Sequence, residues 1–366
     1  MNQPLPNTNE SSKPMTTATA HGLNQVVSQS ARSGITESSV SSSIDCLEID
    51  CATLGGHVQH WAAIGTENPD AIPEVLQLSL TDADIQFGLL PHIPENHSSS
   101  PNPQGDAISP PDTSVPWVIT GPQTSLQITQ IIQRDHKGHP TQLMSAFPSL
   151  DSQIHYLGTI QRIIRCKETQ EGILTLQLNN GVTVHAFDGL HAINYPHYQA
   201  NTVYQLVLGA IAYELERVGD SEVIEVTDPA ALHHHHAMTA ILAEHNGVAP
   251  ADMNERIQHW KPENNQPLPP VSVNIAKMVA YLYGDQLGQE DEAWIQGEII
   301  GKRALDAFDH HYLILDTVVS RENPDQPLVI PIVLKVDKSM ENRVEVGDFV
   351  RGNIWLQGAI HGINKH

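Results

Sequence analysis

Tyr156-Leu157-Gly158-Thr159-Ile160 and Trp294-Ile295-Gln296-Gly297-Glu298-Ile299 open two stretches of the chain that read alike. In the first, apolar runs follow at 173–178, 182–187 and 203–208, the last leading into Gly209-Ala210-Ile211. In the second they follow at 312–319, 328–336 and 346–350, leading into Gly352-Asn353-Ile354. Short runs rich in Val, Ile and Leu and bounded by Gly, Pro and Asn read as strands. The inner glycines stand 51 residues apart in one stretch (158 to 209) and 55 in the other (297 to 352). The longer connection at 320–327, against Asn179-Asn180-Gly181, takes up most of that difference. A duplicated β module is the simplest account.

Each copy is expected to hold about five short strands, with glycine in the first and in the penultimate or last strand, where a closing barrel needs a tight bend. This pattern resembles the OB-fold, a five-stranded Greek-key barrel. The resemblance is one of fold and covers the two repeated stretches. It implies a mainly β chain of two OB-like five-stranded barrels, and recognition through the loop between the first two strands of a copy.

Outside the repeat, residues 1–43 are rich in Ser, Thr, Asn and Gln and hold too little apolar surface to offset ordering, which predicts a disordered tail. A small N-terminal β unit is expected over 44–90, with strands at 46–50 and 75–80. Prolines 91, 94, 101, 103, 110, 111 and 116 mark a linker over 91–116. A hairpin with a strand at 125–133 and a turn at Lys137-Gly138 then leads into the first barrel, the two filling 117–228. A helical insert follows over 229–290. Asp228 as N-cap, Pro229 in the first turn and Gly247 past the end predict a helix over 229–246. A second is expected at about 250–260 and a third at 271–283, with Val273, Ala276, Val279, Ala280 and Tyr283 on one side. The second barrel occupies 291–366.

Asp and Glu number 42 against 19 Lys and Arg, a formal charge of −23. That balance disfavours a protein that works by neutralising duplex phosphates and favours a basic protein partner. Residues 1–133 hold 13 acidic and two basic residues, whereas 293–366 hold ten and eight, so any weak single-strand nucleic-acid surface is expected on the second barrel. Three cysteines make no disulfide framework and read as small buried thiols. Residues 1–20 show no basic stretch followed by an apolar one, and the apolar run at 203–213 is far shorter than a membrane span, so a cytoplasmic protein without membrane contact is expected.

Candidate binding residues fall in the charged stretch 302–311 between the first two strands of the second copy: Asp306, Phe308, Asp309, His310 and His311, with Phe308 placed to stack on a ligand or a partner. Of the run His233-His234-His235-His236, only His233 and His236 share a helix face, an incomplete metal site to which adventitious zinc or nickel could adhere. No catalytic motif and no cofactor site is found: 297–303 lacks the spacing of a phosphate loop, and 82–93 lacks the ligands of a calcium loop. The leading expectation is a non-catalytic acidic binding or scaffold protein that recognises a protein partner through its barrels. The alternatives are a metal-handling protein using the histidine helix, and then a hydrolase assembled from His185, Asp188, His191 and His197.

Overall fold

A computed structural model describes residues 43–49, 57–89, 115–262, 267–283, 289–338 and 341–363. Apart from Ser43, Val115 and Pro116, the expected tail and linker lie outside the described residues. The chain is mainly β with a helical insert. It divides into two compact units, the smaller holding Glu225–Val273 and the larger Ser41–Ile224 together with Asn274–His366.

Ahead of the first copy stand strand β1 (Asp45–Ile49), helices α1 (Val58–Ala63) and α2 (Ile72–Ser79), and strand β2 (Asp84–Gln86). The strand expected at 75–80 is therefore helical up to Ser79. Pro73 sits in the first turn of α2, where its missing N–H breaks no bond, and Ile72, Val75 and Leu76 pack onto the core beneath. Strands β3 (Trp117–Gly121), β4 (Leu126–Arg134) and β5 (Pro140–Leu150) join β2 in a four-stranded antiparallel sheet. Its β4–β5 turn falls at Lys137-Gly138 as expected, and Asp135 Oδ1 accepts from the Lys137 and His139 amides at 2.8 and 2.9 Å.

The first copy supplies β6 (His155–Cys166), β7 (Gly172–Leu178), β8 (Thr183–Asp188), the short helix α3 (His191–Asn194) and β9 (Val203–Arg217). Then come β10 (Val223–Val226), α4 (Pro229–Glu244), α5 (Met253–His259) and β11 (Val271–Asn274), β10 pairing with β11. The Asp228 side chain accepts from the Ala231 amide at 2.8 Å, and Gly247, at φ 82°, donates to the Leu242 carbonyl, so both punctuation residues of α4 act as the sequence implies. Ala237 and Ile241 of α4 and Ile257 of α5 form the small core of this unit.

The third expected helix is absent. Residues 271–283 form β11, a turn and β12 (Ala280–Tyr283), which pairs with the first strand of the second copy. Asn274 Oδ1 accepts from the Ala276 amide, and Gln296 Nε2 donates to the carbonyls of Ile275 and Met278, so side chains stabilise the turn where a helix would need its own backbone bonds. The second copy supplies β13 (Glu292–Ala307), β14 (His310–Ser320), β15 (Leu328–Lys335) and β16 (Phe349–Ile363).

The pairings of the large sheet close on themselves twice. β6 pairs with β7 and β7 with β8, β8 runs parallel to β16, β16 lies antiparallel to β9, and β9 returns to β6. The counterpart runs β13, β14, β15, then β9 parallel to β15, then β16, and back to β13. Each copy thus contributes four strands and takes the fifth of its circuit from the last strand of the other. In place of separate barrels there are two circuits with a common seam, β9 against β16. A single apolar core crosses that seam: Leu206, Leu208 and Ala210 of β9 and Ile354 and Leu356 of β16 meet Leu174 and Val184 of one copy and Ile295 and Ile330 of the other. The alternate residues Ile211 and Trp355 face a second core, roofed by the four-stranded sheet through Leu126, Ile128 and Phe147. Buried Gln357 ties roof to floor: its Oε1 accepts from the Leu150 amide at 3.0 Å and its Nε2 donates to the Pro148 carbonyl at 2.7 Å.

The cysteines depart from the reading of three buried thiols. Cys46 is free and exposed, Cys166 is disulfide-bonded, and Cys51 lies outside the described residues. Among the described residues, no helix is long and apolar enough to cross a membrane.

Gly352 marks the tightest point of the seam. Its φ is 154°, and a Cβ there would stand 2.0 Å from the Glu214 carbonyl oxygen of β9. Gly352→Ala is therefore expected to lower stability by about 1–3 kcal/mol, read as a lower urea midpoint, whereas Gly219→Ala, with nothing within 4 Å of its Cβ, should leave the midpoint unchanged.

Candidate functional site

The stretch expected to be a recognition loop is a tight hairpin. β13 runs to Ala307 and β14 starts at His310, so only Phe308 and Asp309 turn, at φ 47° and 60°. Two positive φ values are what a type I′ turn requires, and Asn-Gly is its usual occupant. A bulky residue in this region costs about 1–2 kcal/mol. Phe308 offsets that cost by packing, half-buried, onto the core beneath the four-stranded sheet. His311 stands between two carboxylates, its Nδ1 2.7 Å from Asp306 and its Nε2 3.2 Å from Glu341. The His311 hydrogen bond holds the Asp306 carboxyl below the usual carboxylate range. The His310 ring lies against Gly65, where a Cβ would come within 2.5 Å of it. Asp306, Phe308, Asp309, His310 and His311 thus share one end of the hairpin and border an open groove with Lys335, Asp337 and Lys338.

The histidine helix does not gather ligands. The Nε2 atom of His233 lies 2.9 Å from the Trp260 carbonyl, and that of His236 lies 3.1 Å from the Pro269 carbonyl, so the two rings are directed to different backbone groups. Among the described residues, no three His, Cys, Asp or Glu side chains converge as metal ligands.

Of the four residues weighed for hydrolysis, two meet. His191 Nδ1 lies 3.5 Å from Asp188 Oδ2, with both side chains buried, and the Tyr198 hydroxyl donates to that same oxygen. Both ring nitrogens of His191 lack a hydrogen bond. His185 is three positions from Asp188 along β8, hence on the opposite face, where it lies near Glu290 (3.7 Å) and Tyr283. His197 closes the turn Tyr195–His197 after α3, and no ion pair joins it to the other three.

The most connected polar cluster was not legible in the sequence. His57 precedes α1 and His60 lies within it; Ser145 is on β5; Thr169 and Glu171 precede β7. His57 Nε2 donates to Glu171 Oε1 at 2.6 Å, Ser145 donates to that same oxygen, and Thr169 donates to Oε2 at 2.9 Å. His57 and His60 share a hydrogen bond between their Nδ1 atoms at 2.9 Å. The His60 ring stacks on Trp355, centroids 3.6 Å apart and planes within 1°, and Trp355 Nε1 donates to Asp291 at 2.7 Å. Burial pushes Glu171 up, but the hydrogen bonds and charge of His57, aided by Ser145 and Thr169, leave it below its ordinary value. Burial, reinforced by His57, takes His60 down to about 2. Burial takes Asp291 up to about 7 against the Trp355 hydrogen bond, and its second oxygen has no partner.

No protein family, curated protein or solved structure matches this chain. What the cluster can do follows from its geometry alone. Ser145 donates its hydrogen bond to the Glu171 carboxylate, and that carboxylate also accepts from His57 and Thr169. The cluster's evident action is to fasten α1 to β5, the start of β7 and the seam residue Trp355. The only sequence signal for it would be polar residues at inward positions, and His57, Ser145 and Glu171 are too far apart in the chain to suggest one another.

These shifts fix how stability responds to acid. His60 stays neutral when folded but takes a proton near 6.5 when unfolded, so its contribution is full above that pH and lost as pH falls below it. Asp291 works the other way: its penalty is full above about 7 and fades toward 4, because the fold retains a proton that the unfolded chain releases. Melting temperature followed between pH values of about 7.5 and 5 should fall less steeply for His60→Phe than for the parent, and more steeply for Asp291→Asn. Equal slopes in all three would contradict this account of the cluster.

Proposed function

We propose that the protein is a non-catalytic binding or scaffold protein whose acidic surface receives a basic protein partner at the end of the β13–β14 hairpin. The observation that carries this reading is the disposition of its charges. Carboxylates outnumber Lys and Arg 42 to 19. Arg162, Arg165, Arg217, Arg256, Arg303, Arg321 and Arg351 each already lie against a carboxylate of the chain itself. Much of the arginine charge is thus satisfied within the chain, and the excess of carboxylates steers a cationic surface inward and leaves few cations for a phosphate backbone. Beside the hairpin end, Lys335 and Lys338 are outnumbered by Asp306, Asp309, Asp337 and Glu341, so single-stranded nucleic acid is not favoured there either. The part of half-buried Phe308 that its core packing leaves uncovered adds apolar surface among these charges.

The cytoplasmic expectation gains no support from the cysteines, since Cys166 is disulfide-bonded.

Titration calorimetry with a Lys- and Arg-rich helical peptide tests the proposal. Binding should weaken with added salt, and replacing Asp306 and Asp309 by Asn together with Phe308→Ala should weaken it by more than about tenfold, or about 1.4 kcal/mol. Replacing His233, His234, His235 and His236 by Gln should leave affinity intact. Loss in the histidine variant with retention in the hairpin variant would transfer the reading to the metal-handling helix.

A further inference from the structure

Away from the hairpin end, a cavity of about 220 Å³ lies between the four-stranded roof and the seam strands. Part of its space comes from an absent side chain: a Cβ on Gly189 would find nothing nearer than the Gly358 carbonyl oxygen at 3.7 Å. The cavity has room for several water molecules, or for one small ring with its substituents.

The roof wall is polar. Gln127 of β4 stands directly opposite Ser149 of β5, and Thr129, two residues along β4, shares a hydrogen bond with Ser149 at 2.8 Å. Gln127 is 9 % exposed and borders the cavity. A ligand able both to accept from its NH₂ and to donate to its oxygen would engage both ends of the amide. Gln357 on the opposite wall already spends both amide groups on the roof backbone, so it holds the walls apart without competing for a ligand. Phe147 and Phe187, packed edge to face at 4.7 Å, add apolar surface.

Charge narrows the ligand further. No Lys or Arg borders the cavity, so an anion finds no counter-charge. The one carboxylate, Asp151, and the one imidazole, His361, are both exposed and stand at the rim. Burial pushes Asp151 up and His361 down, which disfavours the charged form of each. The inner wall offers amide and hydroxyl groups that both donate and accept, the pattern that matches adjacent hydroxyls on an uncharged ring.

We propose that this cavity binds an uncharged polyhydroxylated molecule of monosaccharide size, with the Gln127 amide as its principal hydrogen-bonding partner. This proposal is independent of the basic partner assigned to the hairpin end.

Saturation-transfer NMR and calorimetry of the full chain with D-glucose, D-galactose, D-mannose, D-ribose and myo-inositol test it, with inorganic phosphate and choline as charged controls. At least one neutral probe should bind with a Kd below about 10 mM, and neither control should. Gln127→Leu, which keeps the bulk and removes the amide, should weaken that binding at least about tenfold. Gly189→Val, which places a side chain in the space, should abolish it. The melting temperature of each unliganded variant separates loss of the site from loss of the fold, and either variant suffices if the other does not fold. Absence of binding by all five neutral probes, preferential binding of phosphate or choline, or unchanged binding in a folded variant would each overturn the proposal.

Discussion

The antiparallel ladder of β9 and β16 is the interaction on which the rest of the large unit depends. Both strands are members of both closed circuits, so every other strand of the repeat is placed by its distance from this pair. The ladder also separates the two cores. On one face Leu206, Leu208, Ile354 and Leu356 hold the repeat together, and on the other Ile211 and Trp355 support the four-stranded roof. Strand alternation makes this possible, because one ladder can present two different faces with no extra chain. The bulges beside Asn353 and Ile360 and the close approach at Gly352 locally adjust that ladder where the circuits turn.

Much of this was legible before any coordinates. The four apolar runs of each copy became the strands β6–β9 and β13–β16, since aliphatic runs bounded by Gly, Asn and Pro report strand propensity and turn chemistry, both local properties. The caps of α4 were legible for the same reason. Exchange between copies was not, because strand propensity says nothing about which strand lies alongside. The segments misread, 75–80 and 271–283, are short and ambiguous in period. Pro73 fits the first turn of α2, and Asn274 with Gln296 replaces the backbone bonds of the expected helix by side-chain bonds.

The candidate site was legible in part. Asp306, Phe308, Asp309, His310 and His311 were located together because they are neighbours in sequence, but the geometry, two residues at positive φ instead of a mobile loop, depends on Phe308 finding a core to pack against. The His57–Glu171 bond spans 114 positions and the Gln357–Leu150 bond 207, and no local pattern announces pairs so distant. The cavity was less legible still, because its walls come from β3, β4, β5, β8, β9 and β16, strands far apart in the chain.

The reciprocal strand exchange also sets a condition on biosynthesis. The first circuit cannot close on its own copy: its fifth strand is Phe349–Ile363, emerging from a ribosome long after β6, β7 and β8. Until then β8 and β9 present unpaired edges, and the apolar residues of the first copy lack the cover that Ile354 and Leu356 provide. Pairings of such long sequence separation form slowly, so the nascent chain passes through an extended period in which an identical neighbouring chain could supply the missing strand. The same geometry that makes one chain complete therefore makes two incomplete chains complementary.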